Sequence, residues 1–132
     1  MALERVNPPE LGRPSGFSHA VRADRGQLIF LAGQTAYGPD GAIAGETVAA
    51  QFEQALANLL TALRAAGGSP PDLASLTVYA VDLDDYRANG REIGQAWQRL
   101  AGRDYPAMAA VGVSRLWDPA ALVEIQGHAV IG

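Results

Sequence analysis

The chain contains no cysteine. That excludes disulfides, a thiol nucleophile and any zinc site built on thiolates. Basic charge is also thin. The ten basic residues are arginines scattered among fourteen carboxylates, for a net charge of -4 and a pI near 5.0. Nucleic-acid binders carry a basic stripe or patch, so neither nucleic acid nor an acidic membrane surface is an expected partner. No stretch approaches the ~18 consecutive apolar residues of a membrane span. Residues 1–12 hold Glu4, Arg5 and Pro8-Pro9 and lack the apolar core of a secretory signal, so a cytoplasmic location is expected. Gly67-Gly68 and Gly38-x-x-Gly41 do not form a phosphate-binding motif. Asp82, Asp84 and Asp85 lack the alternate-residue ligands and closing Glu of a calcium loop, and helix capping is the simpler role. No metal or cofactor is expected.

What is present is ordinary for a folded chain. Hydrophobic residues make up 48% and charged residues 18% of 132 positions, which fits one domain over residues 1–132 with one core. Fifteen Gly and eight Pro predict many turns.

Residues 1–15 are Pro-rich and read as irregular. Phe17–Ala23 and Gln27–Ala32 are short apolar runs separated by Asp24-Arg25-Gly26, the pattern of a hairpin. Thr47–Ala66 is the strongest helix. Phe52, Leu56, Leu59, Leu60 and Leu63 fall at i, i+4, i+7, i+8 and i+11, one face of a 3.6-residue period. Thr47 can cap its start and Gly67-Gly68 its end. Each buried Leu on that stripe is worth roughly 2 kcal/mol. Leu73–Leu83 alternates and is rich in β-branched and aromatic residues, so it reads as a strand. Asp84 or Asp85 then caps a second helix to about Ala101, with Tyr86, Ile93, Trp97 and Leu100 on its apolar face and Gly90 and Gly94 weakening its middle. Ala107–Leu116 and Ala121–Ile131 read as two final strands joined by a Trp117-Asp118-Pro119 turn. The order β-β-α-β-α-β-β predicts an α+β layer, a mixed β-sheet with two helices packed on one face. The other face keeps apolar residues to bury, which favours an oligomer.

Three stretches taken together resemble the Rid/YjgF family. The first is Ile29-Phe30-Leu31-Ala32-Gly33-Gln34, similar to an apolar strand ending in Ser-Gly-Gln. The second is Gln51-x-x-x-Ala55-Leu56-x-Asn58-Leu59, continuing through Leu63-x-Ala65-Ala66-Gly67 and Asp72-Leu73 to Thr77-Val78-Tyr79-x-x-Asp82-x-x-Asp85-Tyr86. The third is Tyr105-Pro106-Ala107 with Val111-x-Val113-x-Arg115-Leu116 and Val123-Glu124-Ile125. The match runs from about residue 14 to the end. The resemblance implies a chorismate-mutase-like fold assembled as a homotrimer with ligand clefts between subunits. It also implies hydrolysis of reactive enamines and imines by the deaminating members. In those members an Arg holds the substrate carboxylate through its two-pronged donor, and a Glu positions or activates water.

Carried residue by residue onto this chain, that site is changed. The Arg position is Met108 and the Cys two residues later is Ala110. The Glu that ends Glu-Ile-Glu is Gln126, which cannot act as a general base. The Ser before Gly-Gln is Ala32, the N-terminal Tyr is Phe17, and the helix Asn aligns near Gly90, with Asn89 adjacent. The ligand cleft implied by the resemblance thus comprises Phe17, Ala32, Gly33, Met108, Ala110 and Gln126. Such a cleft holds a carboxylate poorly and suits a neutral or aromatic small-molecule ligand. Strand alternation puts Met108, Ala110, Gly112 and Ser114 on one face, and Glu124, Gln126 and His128 on one face.

No catalytic residue stands out. His128, one strand step past Gln126, and Glu124 are candidates for proton transfer. The plainer readings are a hydrogen-bonded strand-end His and a carboxylate paired with Arg115 or another Arg. His19, near Phe17 on the first strand, could line the cleft mouth. Trp97 and Trp117 read as packing or interface aromatics. Three functions remain: a non-deaminating metabolite binder, an enzyme on the same scaffold acting on a less charged enamine-like compound, and an interaction protein using the oligomer surface. RNA cleavage is disfavoured by the acidic chain and the lack of a basic patch or a His pair.

Overall fold

The structure is a computed structural model and describes residues 3–132. Its main layer is a four-stranded sheet formed by β3 (Gln27–Gln34), β4 (Leu73–Ala80), β5 (Ala107–Gly112) and β6 (Val123–Ile131). The spatial order is β3-β6-β4-β5. β4 and β5 run parallel, while β6 is antiparallel to both β3 and β4, so the sheet is mixed as expected. Helices α1 (Val48–Ala65), α2 (Leu83–Ala88) and α3 (Gly90–Ala101) supply the second layer, which makes the fold α+β.

α1 follows its sequence stripe. Phe52, Leu56, Leu59, Leu60 and Leu63 are at most 1% exposed and pack on Leu31, Leu76, Val78, Val123 and Ile125 of the sheet. The Thr47 hydroxyl accepts from the Ala50 N–H and caps the helix. At the other end Gly67 takes φ +97°, and the Gly68 N–H returns to the Leu63 carbonyl.

One polar side chain on α1 is buried with this stripe. The Gln51 amide, 2% exposed, donates to the carbonyls of Gly45 and Ala120 at 3.1 and 3.2 Å, and accepts from the Leu122 N–H at 2.8 Å. It ties the helix start to the loop that feeds β6. Asn58 does the same at the end of β3, donating to the carbonyls of Thr35 and Tyr37 at 3.0 Å.

Several local expectations are corrected. The two runs before and after Asp24-Arg25-Gly26 do not form a hairpin. Ala20–Arg22 (β2) pairs with Glu4–Val6 (β1) in a separate two-stranded ribbon, and β3 pairs with β6 instead. Residues 1–15 are therefore not wholly irregular, although Met1 and Ala2 lie outside the described residues. His19 lies on no strand; its N–H bonds to the Asn7 side chain. The second helix is two helices, broken at Asn89, so the described residues form three α-helices rather than two. Its cap is Asp82, whose carboxylate accepts from the Asp85 N–H at 3.0 Å, rather than Asp84 or Asp85. The strand begun at Ala107 stops at Gly112, and β6 starts at Val123. The turn between them forms where expected, with the Ala121 N–H on the Asp118 carbonyl, and Trp117 stands 94% exposed.

Candidate functional site

Alternation along the strands sorts the candidate residues. On β5, Met108 and Ala110 are registered with Leu76 and Val78 of β4, whose side chains are buried against the helices. On β6, Val123, Ile125 and Ala129 are buried on that same helix side. Glu124, Gln126 and His128 therefore point to the opposite, open face. The two shared faces expected from the sequence form, except that Ser114 lies beyond the end of β5, and they are opposite faces of one sheet. A single chain brings Phe17, Met108 and Ala110 together, and separately gathers Ala32, Gly33, Glu124, Gln126 and His128.

The helix-side group forms a cavity at the β5 edge. The segment before β2 runs alongside the start of β5 here, Ser18 bridging Ala107 in parallel, with the Ser18 N–H on the Pro106 carbonyl and the Ser18 hydroxyl on the Tyr105 carbonyl, each within 2.9 Å. This pairing sets Phe17 beside Met108 and Ala110. Val78 and Tyr86 complete a cavity of about 310 Å³. A second, inner chamber of about 200 Å³ adjoins it, between α3 and the core, walled by Phe52, Ile93, Trp97 and Tyr105 and opening at the exposed Ser15, Gly16 and Gly90. The two share Gly16, Tyr86 and Met108. No described residue lining either one is charged. Burial pushes the Tyr86 phenol up to about 12, so at neutral pH it is a protonated donor in apolar surroundings. The 3.6-residue period assigns Tyr86 to an apolar helix face, but periodicity does not separate a core residue from a cavity wall. Nothing in the pattern marks Gly16.

The open-face group is more polar. Gly33 sits at a β-bulge in the β3–β6 ladder, and its missing side chain leaves room for the Glu124 carboxylate, which packs against it. The expected pairing of Glu124 with Arg115 is not formed. The ion pairs among the described residues are Arg22–Glu4 and Arg99–Glu53. The Tyr79 hydroxyl donates to Gln126 Oε1 at 3.0 Å, which leaves the amide N–H₂ of Gln126 free to donate. His128 Nδ1 meets the Ser75 hydroxyl at 3.1 Å, and its ring stands edge-on to Phe30 at 5.3 Å. Phe30 itself is 73% exposed. A neutral amide, a hydrogen-bonded imidazole and an unpaired carboxylate can bind a polar group or relay a proton. No described group of three or more His, Asp or Glu side chains is placed to hold a metal ion. No described helix is long and apolar enough to cross a membrane.

Comparison with known proteins agrees with this architecture. The family model described as Endoribonuclease L-PSP matches residues 10–131. A RutC family protein from Pyrococcus abyssi is 32% identical over 118 residues, 88% of each chain. The Salmonella typhimurium 2-iminobutanoate/2-iminopropanoate deaminase is 31% identical over 93 residues, covering 70% of this chain and 72% of the other. The crystal structure of YyfB, a Rid-family protein of unknown function from Yersinia pestis, superimposes with a TM-score of 0.88 at 36% identity, over 99% of this chain and all of that one. With the family model, a relative and a superimposed structure in agreement, the chain belongs to the Rid/YjgF family.

Proposed function

We propose that this Rid-family chain binds or processes a less charged small metabolite in a cleft between the subunits of a cytoplasmic homotrimer, and does not deaminate 2-imino acids. The observation that carries the reading is the cavity beside Met108. Its lining is apolar and holds no cation, so a substrate carboxylate entering it would lose its water with no guanidinium to replace it. The arrangement of two half-sites on opposite faces of one sheet supports a cleft between copies. Met108 of one copy and Gln126 of the next can face a common ligand, whereas within one chain the sheet separates them.

A second reading has an observation of its own. Glu124 and His128 lie on one face with Gln126 between them, and Glu124 has no cationic partner among the described residues. In this reading the protein is an enamine or imine hydrolase of altered specificity, with His128 or Glu124 moving the proton. General acid–base groups contribute about 10²–10⁴-fold, so His128→Ala or Glu124→Gln would lower turnover by that order.

The test is ammonia release from 2-iminopropionate generated in situ by an amino acid oxidase, with the wild type beside Met108→Arg/Gln126→Glu. The expected result is an inactive wild type and a gain in the double variant. Ammonia release by the wild type above the uncatalysed rate would refute the main reading.

A further inference from the structure

A glycine inside a helix is destabilising relative to alanine. It is retained where φ is positive or where a neighbour comes too close for a Cβ. Gly94, inside α3, meets neither condition. Its φ is not positive, and a Cβ there would meet nothing within 4 Å. The same holds for Gly90, which opens the helix four residues earlier on the same face. Both line the inner chamber, so what their missing side chains provide is room.

A second observation points the same way. Trp97 lies on α3 and lines the same chamber. It is 4% exposed. Its ring stacks on Tyr105 with centroids 6.1 Å apart and planes 25° from parallel, forming a flat aromatic wall. The chamber adjoins the outer cavity at Met108, a side chain whose unbranched thioether can swing aside.

We propose that the inner chamber is a specificity pocket that takes the phenyl-sized arm of an uncharged carbonyl compound, with the carbonyl oxygen accepting from Tyr86. This inference rests on the reading of the cleft as a site for a less charged metabolite, and it names the class of that ligand. The size fits: an apolar cavity of about 150 Å³ holds benzene, and this chamber measures about 200 Å³. The charge fits as well, since a carboxylate would meet no cation in either cavity.

Acetophenone is the probe, and benzoate is its charged counterpart with the same ring. Trp117, 94% exposed, is replaced by Phe so that emission reports Trp97 alone. Acetophenone is expected to change that emission saturably, and benzoate to bind at least about tenfold more weakly. Gly94→Leu fills the chamber; it is expected to raise Tm and to weaken acetophenone at least about tenfold, with Gly94→Ala in between. A purely structural role for the glycines predicts the rise in Tm with acetophenone affinity unchanged, and that result would overturn the proposal. Acetophenone binding that is lost in Met108→Arg but kept in Gly94→Leu places the ligand in the outer cavity only. That outcome ends the inner-chamber proposal and leaves the reading of the cleft intact. Absence of any acetophenone signal overturns the chamber proposal by itself, while the ammonia assay alone decides the underlying reading.

Discussion

Gln51→Met separates the polar role of the buried amide from its volume. Met nearly matches Gln in length and shape but bonds to none of the three backbone groups Gln51 serves. The losses are unequal. Gly45 and Ala120 are exposed, so water replaces the amide at their carbonyls and each bond is worth only its net value of about 0.5–1.5 kcal/mol. Leu122 is half-buried, and its N–H, bonded to Gln51 at 2.8 Å, is orphaned at the heavier cost of about 1–3 kcal/mol. The sum is about 4 kcal/mol. For a chain of this size a loss of 1 kcal/mol lowers Tm by about 4 °C, so Tm should fall by about 16 °C. Thermal unfolding at fixed protein concentration measures it, and amide exchange at Leu122 should quicken in the native state. Gln51→Glu should be worse than Gln51→Met, because it turns a carboxylate onto two carbonyl oxygens. A Tm within about 3 °C of the parent for Gln51→Met would show that the three bonds do not hold the loop, and the reasoning would fail.

Two further outcomes follow from the site. Gly33→Ala places a Cβ where the Glu124 carboxylate lies, and that flexible side-chain end can swing away; the variant should cost at most about 1 kcal/mol, read by urea unfolding, and a larger loss that Glu124→Ala does not recover would place the strain in the backbone. The Tyr86 phenol, held neutral by burial, loses its proton near pH 10 when unfolded but only near about 12 when folded. The unfolded state therefore sheds the proton first, and stability should decline as pH rises from about 10 and level off above about 12, by at most about 2–3 kcal/mol; Tyr86→Phe should abolish that slope, and an equal slope in the variant would assign the titration to another group.

How much of this was readable before the structure depends on the range of the interaction. α1 was legible because a 3.6-residue stripe is local: five large side chains from Phe52 to Leu63 repeat on one face, with Thr47 and Gly67 marking its ends. The alternation that groups Met108 with Ala110, and Glu124 with Gln126 and His128, is local too. Partner choice is not. Gln27–Gln34 pairs with a strand some hundred positions later, and Ala20–Arg22 pairs backward onto Glu4–Val6. The turn residues Asp24-Arg25-Gly26 advertise a hairpin that these distant pairings displace. The break at Asn89 and the cap at Asp82 were blurred because a run of Asp residues offers three capping side chains in four positions. That Met108 and Gln126 lie on opposite faces needs the β4–β5 and β4–β6 registers together, which no single strand records. Gly16 had no pattern of its own, and the period that put Tyr86 on an apolar face did not mark it as a cavity wall, since the cavity they line exists only where several elements meet.

The separation of the two candidate groups by a sheet also bears on how this protein can change over evolutionary time. A point substitution on β5 alters one half and leaves the chemistry across the sheet untouched, so the two can diverge independently and in any order. Insertion or deletion within β5 or β6 has no such freedom: moving β6 by one position would turn Gln126 inward and Ile125 outward, exchanging every site residue with a core residue at once. Divergence of the site therefore has to proceed by replacement within fixed-length strands, and changes of length are confined to connections such as residues 113–122.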